Sequence, residues 1–368
     1  MPSNSYLNGT APPSSDQVLA VLAAIQDPDL GRDVVSLGMI KDLVIAGDGR
    51  VSFTFELTTP ACPVRDRFQT MAQKLVADLP GVTAVDLKMT ANVRSAFNGK
   101  RPDQLLPGVK QVIAVASGKG GVGKSTVAIN VACALRVTGA RVGLLDADIY
   151  GPSIPGMLGV QDQPKVVDQK LIPLEAFGVK VMSIGFLAGA DKAMVWRGPM
   201  ISRAVEQMLG DVHWGELDYL VIDLPPGTGD VSLTLAQVLP LTGVAIVCTP
   251  QAAALAIAVK ALQMFRGLNV TPLGLVENMS WFVCSKCSEE HFIFDHGGAE
   301  RAARRLGVPY LGGIPLEKVI REEADAGSPV VVSRPDTAGA KALREVASAI
   351  AARVSVQSFR QLPVINVR

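Results

Sequence analysis

The stretch "QVIAVASGKGGVGKSTVAINVACALRVTGA", Gln111 to Ala140, decides the fold. An unbroken apolar run leads into a glycine-rich turn, and the turn leads into apolar residues at helical spacing. Such a run suits a strand buried on both faces, and strand, turn and helix in this order open a βαβ unit. Within the turn, "GKGGVGKST" satisfies G-x-x-x-x-G-K-[ST] in the strand-to-helix setting that gives the pattern its meaning. The glycines allow the backbone to turn its N–H groups inward around phosphate oxygens, and the helix N-terminus adds positive potential. Lys124 can neutralise terminal phosphates, and Ser125 offers a hydroxyl to Mg²⁺. The candidate phosphate-binding residues are Gly118, Lys119, Gly120, Gly121, Val122, Gly123, Lys124, Ser125 and Thr126.

Working outward, "RVGLLDADI" supplies a second strand, and "YLVIDLP", "GVAIVCTP" and "VTPLGLVENMS" supply three more, spaced by helical segments such as "AAALAIAVKALQMFRG". The class is therefore α/β, an open and mainly parallel sheet with helices on both faces, closed by the amphipathic "DTAGAKALREVASAIAARV". Ahead of it, "DQVLAVLAAIQ", "RVSFTFELTT", "RFQTMAQKLVADLPG" and "VTAVDLKMTA" read as helix, strand, helix and strand, a small α+β unit over 15–92. The Ser-, Pro-, Asn- and Gly-rich residues 1–14 read as a disordered tail, 93–110 as a linker, 111–353 as the large domain and 354–368 as a C-terminal tail.

Lys and Arg number 35 against 34 Asp and Glu, so no global charge points to nucleic acid or to an anionic membrane. Apolar residues make up 48% of the chain and aromatics only 5%, the texture of a buried parallel sheet. The N-terminus lacks the basic and apolar regions of a signal peptide, and no apolar run approaches the length needed to span a bilayer. Of the five cysteines, Cys62, Cys133 and Cys248 are scattered and only Cys284 and Cys287 are paired, which suits a reducing cytoplasm better than a disulfide framework.

Three carboxylates fall where sheet ends hold chemistry. "LLDADIYGPSIP" places Asp146 and Asp148 two residues apart at a strand's carboxyl end, so both can face the ligand crevice. "YLVIDLPPGTGD" ends an apolar strand on Asp223, as expected of a carboxylate that holds Mg²⁺, in some cases through water. Gly227 and Gly229 in the following loop permit a backbone change as a γ-phosphate comes or goes.

With Lys119 directly after the first glycine, the chain resembles the deviant-Walker P-loop ATPases, whose signature is K-G-G-x-G-K-[ST] and whose branches include MinD, ParA, the nitrogenase iron protein and the Mrp/ApbC iron–sulfur carriers. The resemblance implies ATP as the nucleotide and a face-to-face homodimer in which Lys119 reaches the facing subunit's nucleotide. It implies that Asp148 positions the attacking water, that Asp146 supports the Mg²⁺ and phosphate shell, and that Asn278 in "VENMS" contacts the adenine. Lys119, Lys124 and Asp148 are then the catalytic candidates.

In "ENMSWFVCSKCSEEH", Glu277 to His291, the Cys284-x₂-Cys287 spacing suits a zinc site, a redox dithiol, a disulfide or half the ligands of an iron–sulfur cluster. Zinc would need His291 and His296 as further ligands. If the homodimer holds, two pairs can meet across its axis and bridge one cluster, expected to be [4Fe–4S]. At this pair the resemblance narrows to the Mrp/ApbC branch, through "LLDADIYGPSIP", "DLPPGTGD", "VENMSWFVCSKC" and "FDHGGAERAARRLGVPYLGGIPL"; Ser288 stands where that branch often has glycine. The first unit resembles PaaD-like domains linked to iron–sulfur assembly, through "DPDLGRDVVSLGMIKDL" and "LTTPACPVRD", with Cys62 as the matching thiol. Cys133 and Cys248 fall inside a helix and a core strand, where packing explains them. The resemblance thus implies a cytoplasmic, homodimeric ATPase, slow in turnover, that receives a cluster from assembly scaffold proteins and delivers it to apo-proteins, without a nucleic-acid or membrane partner. A ParA/MinD-like positioning ATPase and a zinc-stabilised scaffold remain as alternatives.

Overall fold

The computed structural model describes residues 11–96, 105–149, 151–188, 198–284, 286–287 and 289–360. Most of the expected N-terminal tail, residues 97–104 of the expected linker, Ser288 and residues 361–368 lie outside them. The chain divides after Val93 into two compact units.

In the first unit the elements are α1 (Ser15–Leu22), β1 (Gln26–Asp27), β2 (Arg32–Asp33), β3 (Ile40–Ile45), β4 (Arg50–Leu57), α2 (Arg65–Ala77) and β5 (Ala84–Ala91). Ser14 opens α1 with a capping box, its hydroxyl accepting from the Gln17 amide while the Gln17 side chain accepts from the Ser14 amide. Val51, Phe53, Phe55 and Leu57 alternate inward along β4, which lies between antiparallel β3 and parallel β5. Phe55 stacks on Phe68 of α2, ring centroids 5.4 Å apart, and so fixes helix to sheet.

The second unit runs β6 (Val109–Ser117), α3 (Lys124–Val137), β7 (Val142–Asp146), α4 (Ile154–Met157), β8 (Lys165–Val167), β9 (Lys170–Ile172), β10 (Leu174–Ala176), β11 (Val179–Ser183), α5 (Ile184–Ala188), α6 (Gly198–Gly210), β12 (Leu217–Asp223), α7 (Asp230–Val238), β13 (Gly243–Cys248) and α8 (Ala252–Gly267). It continues through β14 (Pro272–Val283), β15 (Glu290–His291), α9 (Gly298–Leu306), β16 (Tyr310–Leu316), α10 (Lys318–Asp325), α11 (Val330–Ser333) and α12 (Ala338–Arg360). The sheet order is β10-β11-β7-β12-β6-β13-β14, with β15 and β16 both paired to β14. Every neighbour from β11 to β16 is parallel; only β10 and β15, at the margins, are antiparallel. The chain leaves β6 toward β7 on one side and later reaches β13 on the other, so the carboxyl end of β6 opens on the switch point where ligands bind in such sheets.

The expected strands all form, and the sheet is larger than expected. β1–β3, β8–β11, β15 and β16 were not foreseen; in two of these places the pattern is broken, by Gly178 before β11 and by Gly312, Gly313 and Pro315 in β16. The segment expected to be a tail from residue 354 is helical through Arg360, because Val354, Val356 and Ser358 are buried and Ser358 meets the Gln111 side chain of β6 at 2.7 Å.

Candidate functional site

The glycine-rich turn between β6 and α3 takes its shape from glycine. Gly121 and Gly123 have φ of 78° and 81°, a left-handed region that side chains strain to enter. A Cβ on Gly118 would stand 2.7 Å from the backbone carbon of Ile257 in α8. The amides from Gly121 to Ser125 donate to no partner among the described residues, as expected where a helix begins. They form a nest of aligned donors that suits a chain of phosphates.

Lys124 is buried and held between carboxylates, its Nζ 2.7 Å from Asp223 Oδ1 and 3.6 Å from Asp148 Oδ2. Ser125 Oγ donates to Asp223 Oδ2 at 2.5 Å. Burial pushes the Asp223 carboxyl above its ordinary range, with the Lys124 charge pulling against it. Asp148 Oδ1 is buried without a hydrogen-bond partner among the described residues, an open acceptor beside a cation. The Ser125 hydroxyl and the Asp223 carboxylate make an all-oxygen donor pair that fits Mg²⁺, and the amide nest fits the phosphates the ion would accompany.

Asp146 uses its oxygens differently. Oδ1 accepts from the Asp148 amide at 3.1 Å, and Oδ2 accepts from the Ile154 amide at 3.2 Å and the Ser183 hydroxyl at 3.1 Å. Burial, joined by the charge of Asp223, pushes it up to about 7. Both oxygens are committed to the protein, so its visible work is to fix the backbone that presents Asp148 and the start of α4. Lys119 is half-buried and forms no ion pair among the described residues; its carbonyl accepts from Ser117 Oγ at 3.0 Å. Gly227 is left-handed, φ 96°, and its amide bonds the Ser117 carbonyl at 2.9 Å, joining the loop after β12 to the root of the turn.

Asn278 on β14 closes the other side. Its Nδ2 donates to the Val122 carbonyl at 2.8 Å and leaves no room for a side chain at Gly123. Its neighbour Glu277, which the sequence reading left without a role, is fully buried and accepts from the amides of Gly297 and Ala299. The signal was a lone charge inside the apolar run "LGLVENM".

The cysteine pair stands at the tip of the β14–β15 hairpin, where Phe282 faces His291 and Val283 faces Glu290. The Cys284 amide closes that tip on the Glu289 carbonyl at 2.9 Å. Cys284 is half-buried and Cys287 exposed, and both are free thiols. The amides of Lys286 and Cys287, with the Cys287 side chain, hold the Cys284 thiol below its ordinary value. The two histidines do not join them: His296 Nδ1 lies 3.1 Å from Ser280 Oγ, and His291 Nε2 lies 3.8 Å from Glu289. Among the described residues no group of three or more His, Cys, Asp or Glu is arranged to hold a metal ion.

Cys62 lies half-buried in the loop between β4 and α2, where burial pushes its thiol up to about 11 with help from Asp27 and Asp29. Cys133 and Cys248 are buried and each pushed up to about 12, first by burial, as packing residues are.

A family profile described as "NUBPL iron-transfer P-loop NTPase" matches residues 108–351, and one described as "Iron-sulfur cluster assembly protein" matches residues 15–87. A Synechocystis protein named iron-sulfur cluster carrier protein is 49% identical over 353 residues, 94% of this chain and 99% of that protein. A Deinococcus radiodurans protein of the same name is 47% identical over 354 residues, 95% of this chain and 98% of its own. Among solved structures, a nucleotide-binding protein of Archaeoglobus fulgidus in complex with ADP is 40% identical at TM-score 0.58, covering 64% of this chain and 94% of its own. The cell division ATPase MinD of Pyrococcus furiosus, 23% identical at TM-score 0.51 over 65% of this chain and 98% of its own, shares the fold. Glycine-rich turn, carboxylate-bound lysine and cysteine hairpin thus stand in a chain that belongs to the NUBPL iron-transfer P-loop NTPase family.

Proposed function

We propose that the chain is an ATP-dependent iron–sulfur cluster carrier: it takes a cluster between the Cys284–Cys287 pairs of two copies and passes it to apo-proteins. The observation that carries this reading is the half-site at the hairpin tip. It offers two thiols, one exposed and one already biased toward thiolate, with no third ligand gathered among the described residues. A cluster commonly takes four thiolates, so two copies meeting tip to tip supply the set for one [4Fe–4S] cluster. A closed zinc site within one chain needs His291 and His296, which point to other partners.

The nucleotide site would set the geometry of that dimer. Amides from Gly121 to Ser125 bind and orient the phosphates, Lys124 moves its charge from Asp223 to the terminal phosphate, and Ser125 and Asp223 would hold Mg²⁺. Bound Mg²⁺ supplies charge neutralisation on the phosphate oxygens. Asp148, with an unmet acceptor facing this site, would orient the attacking water, while Asp146 holds Asp148 in place. Lys119 would add its charge from the facing subunit. Hydrolysis gates an open and a closed dimer, so turnover is slow. Scaffold proteins that build clusters load the carrier, and the cytoplasm suits its free thiols. No described helix is long and apolar enough to cross a membrane.

Anaerobic reconstitution with iron and sulfide tests the reading. The wild type should gain the visible absorbance of a cluster, and Cys284→Ala and Cys287→Ala should each lose it; loading unchanged in both variants would refute the site.

A further inference from the structure

The hairpin that carries the cysteines is tied to the rest of the unit at its base, and Glu277 makes the tie. This side chain is fully buried on β14, beside Gly313 of β16 and Cys248 of β13 in register. Its Oε1 accepts from Ser280 Oγ at 2.5 Å and from the Gly297 amide at 2.9 Å, and its Oε2 accepts from the Ala299 amide at 2.7 Å. Gly297 and Ala299 lie at the start of α9, so the carboxylate answers the open amides and positive end of that helix. No lysine or arginine pairs with it among the described residues; His296 Nδ1, at 3.9 Å, is the nearest cationic candidate.

The two ends of this tie matter. The outgoing arm of the hairpin leaves from Asn278, whose amide grips the Val122 carbonyl of the phosphate turn. It reaches Cys284 six residues on, ~20 Å of strand. The returning arm runs through β15 to His296 and enters α9 at the two amides that Glu277 holds. Between the grip and the tip the strand is irregular: Met279 has a φ of 57°, and the pairing of β14 with β16 shifts register between Asn278 and Phe282. A side chain so placed costs free energy to keep, and the surroundings must hold it.

We infer that Glu277 is the positioning residue that makes the cysteine hairpin respond to the phosphate turn, an inference that rests on the nucleotide-gated carrier reading above. A movement of Val122 and Gly123 acts on Asn278 and so on the outgoing arm. With the carboxylate in place the returning arm is bound to the same strand position, and both arms carry the tip as one body. Without it the arms are joined near the tip alone, by the β14–β15 pairing, and the base of the return no longer follows the outgoing arm. Ser280 Oγ also meets His296 Nδ1 of the returning arm at 3.1 Å, but its loss leaves both amide bonds of the carboxylate in place, and those bonds carry the response.

The test reads the thiols directly. Alkylation of Cys284 and Cys287 is timed by mass spectrometry in the wild type, Glu277→Gln and Ser280→Ala, with and without Mg-ATP, and ATP affinity is measured for each. Glutamine fills the same space but replaces one accepting oxygen by an NH₂ donor, which cannot accept from a backbone amide. The expected result is a nucleotide-dependent rate change of about fivefold or more in the wild type and Ser280→Ala, and little change in Glu277→Gln at equal ATP affinity. Glu277→Gln with the full response overturns the inference and leaves the carrier reading standing. A wild type that shows no response also overturns it, and cluster loading of that same protein then shows whether the carrier reading survives. Should Glu277→Gln misfold, hydrogen exchange on the wild type decides: Mg-ATP should alter the Gly297 and Ala299 amides together with 284–287, and protection confined to 118–126 overturns the inference.

Discussion

Replacing Lys124 by alanine should destabilise the protein before any nucleotide is added. Asp223 is fully buried, and the ammonium 2.7 Å away is its cation; the Ser125 hydroxyl at 2.5 Å is its other partner. Asp148 loses the same cation at 3.6 Å. Leaving a buried charge without its partner costs about 3–5 kcal/mol. Part of that can be relieved by protonation, and the sign is fixed by the direction of the shift. Burial already holds the Asp223 carboxyl above its unfolded value of 3.8, and without the lysine it rises further. A carboxyl raised in the fold binds its proton more tightly there than in the unfolded chain. The penalty is therefore full above the folded value and fades as pH falls through it. Urea unfolding without nucleotide, followed by tryptophan fluorescence, reports the second unit alone, because Trp196, Trp214 and Trp281 all lie in it. Lys124→Ala should lose about 3 kcal/mol at pH 8, with the loss shrinking as pH is lowered. Lys124→Ala combined with Asp223→Asn should lose less than the sum of the two. A Lys124→Ala protein within about 1 kcal/mol of wild type at pH 8, or losses that simply add, would refute the buried pair.

Two further outcomes follow from the same geometry. At pH 8, Cys284 should alkylate on the order of 100 times faster than Cys62, since one thiol is held below its ordinary value and the other is pushed up to about 11; mass-resolved labelling should show the Cys62 rate climbing steadily to pH 10. Gly123→Ala should lower stability by about 1–2 kcal/mol for its left-handed backbone and weaken ATP binding, with part of the loss restored by Asn278→Ala, which removes the amide that the new methyl meets.

Much of the fold was legible because its local signals agree. The apolar run from Val112 to Ala116, the glycines after it and the helical spacing from Val127 onward all ask for the same strand, turn and helix. The same holds for Asp223 at the end of an unbroken apolar strand. β11 and β16 were not legible because Gly178, Gly312, Gly313 and Pro315 break their patterns; pairing with β7 and β14 makes them strands, and that pairing is tertiary. The helix beyond residue 353 is of the same kind, held by burial of Val354 and Ser358. At the site, spacing pointed to Lys124, Ser125, Asp148 and the cysteines as candidates, but it cannot show where a carboxylate spends its oxygens. Asp146 bonds the Asp148 and Ile154 amides and Ser183, and Glu277 reaches amides that lie twenty and twenty-two positions on, contacts that no local pattern records.

In the proposed carrier, one cluster is shared by two chains through Cys284 and Cys287. Native mass spectrometry of the anaerobically reconstituted protein measures this most directly. The account predicts a dimer carrying one cluster of about four iron and four sulfide, and a monomer without iron for Cys284→Ala and Cys287→Ala. A monomer that holds a complete cluster, or a dimer of either variant that holds one, would contradict it.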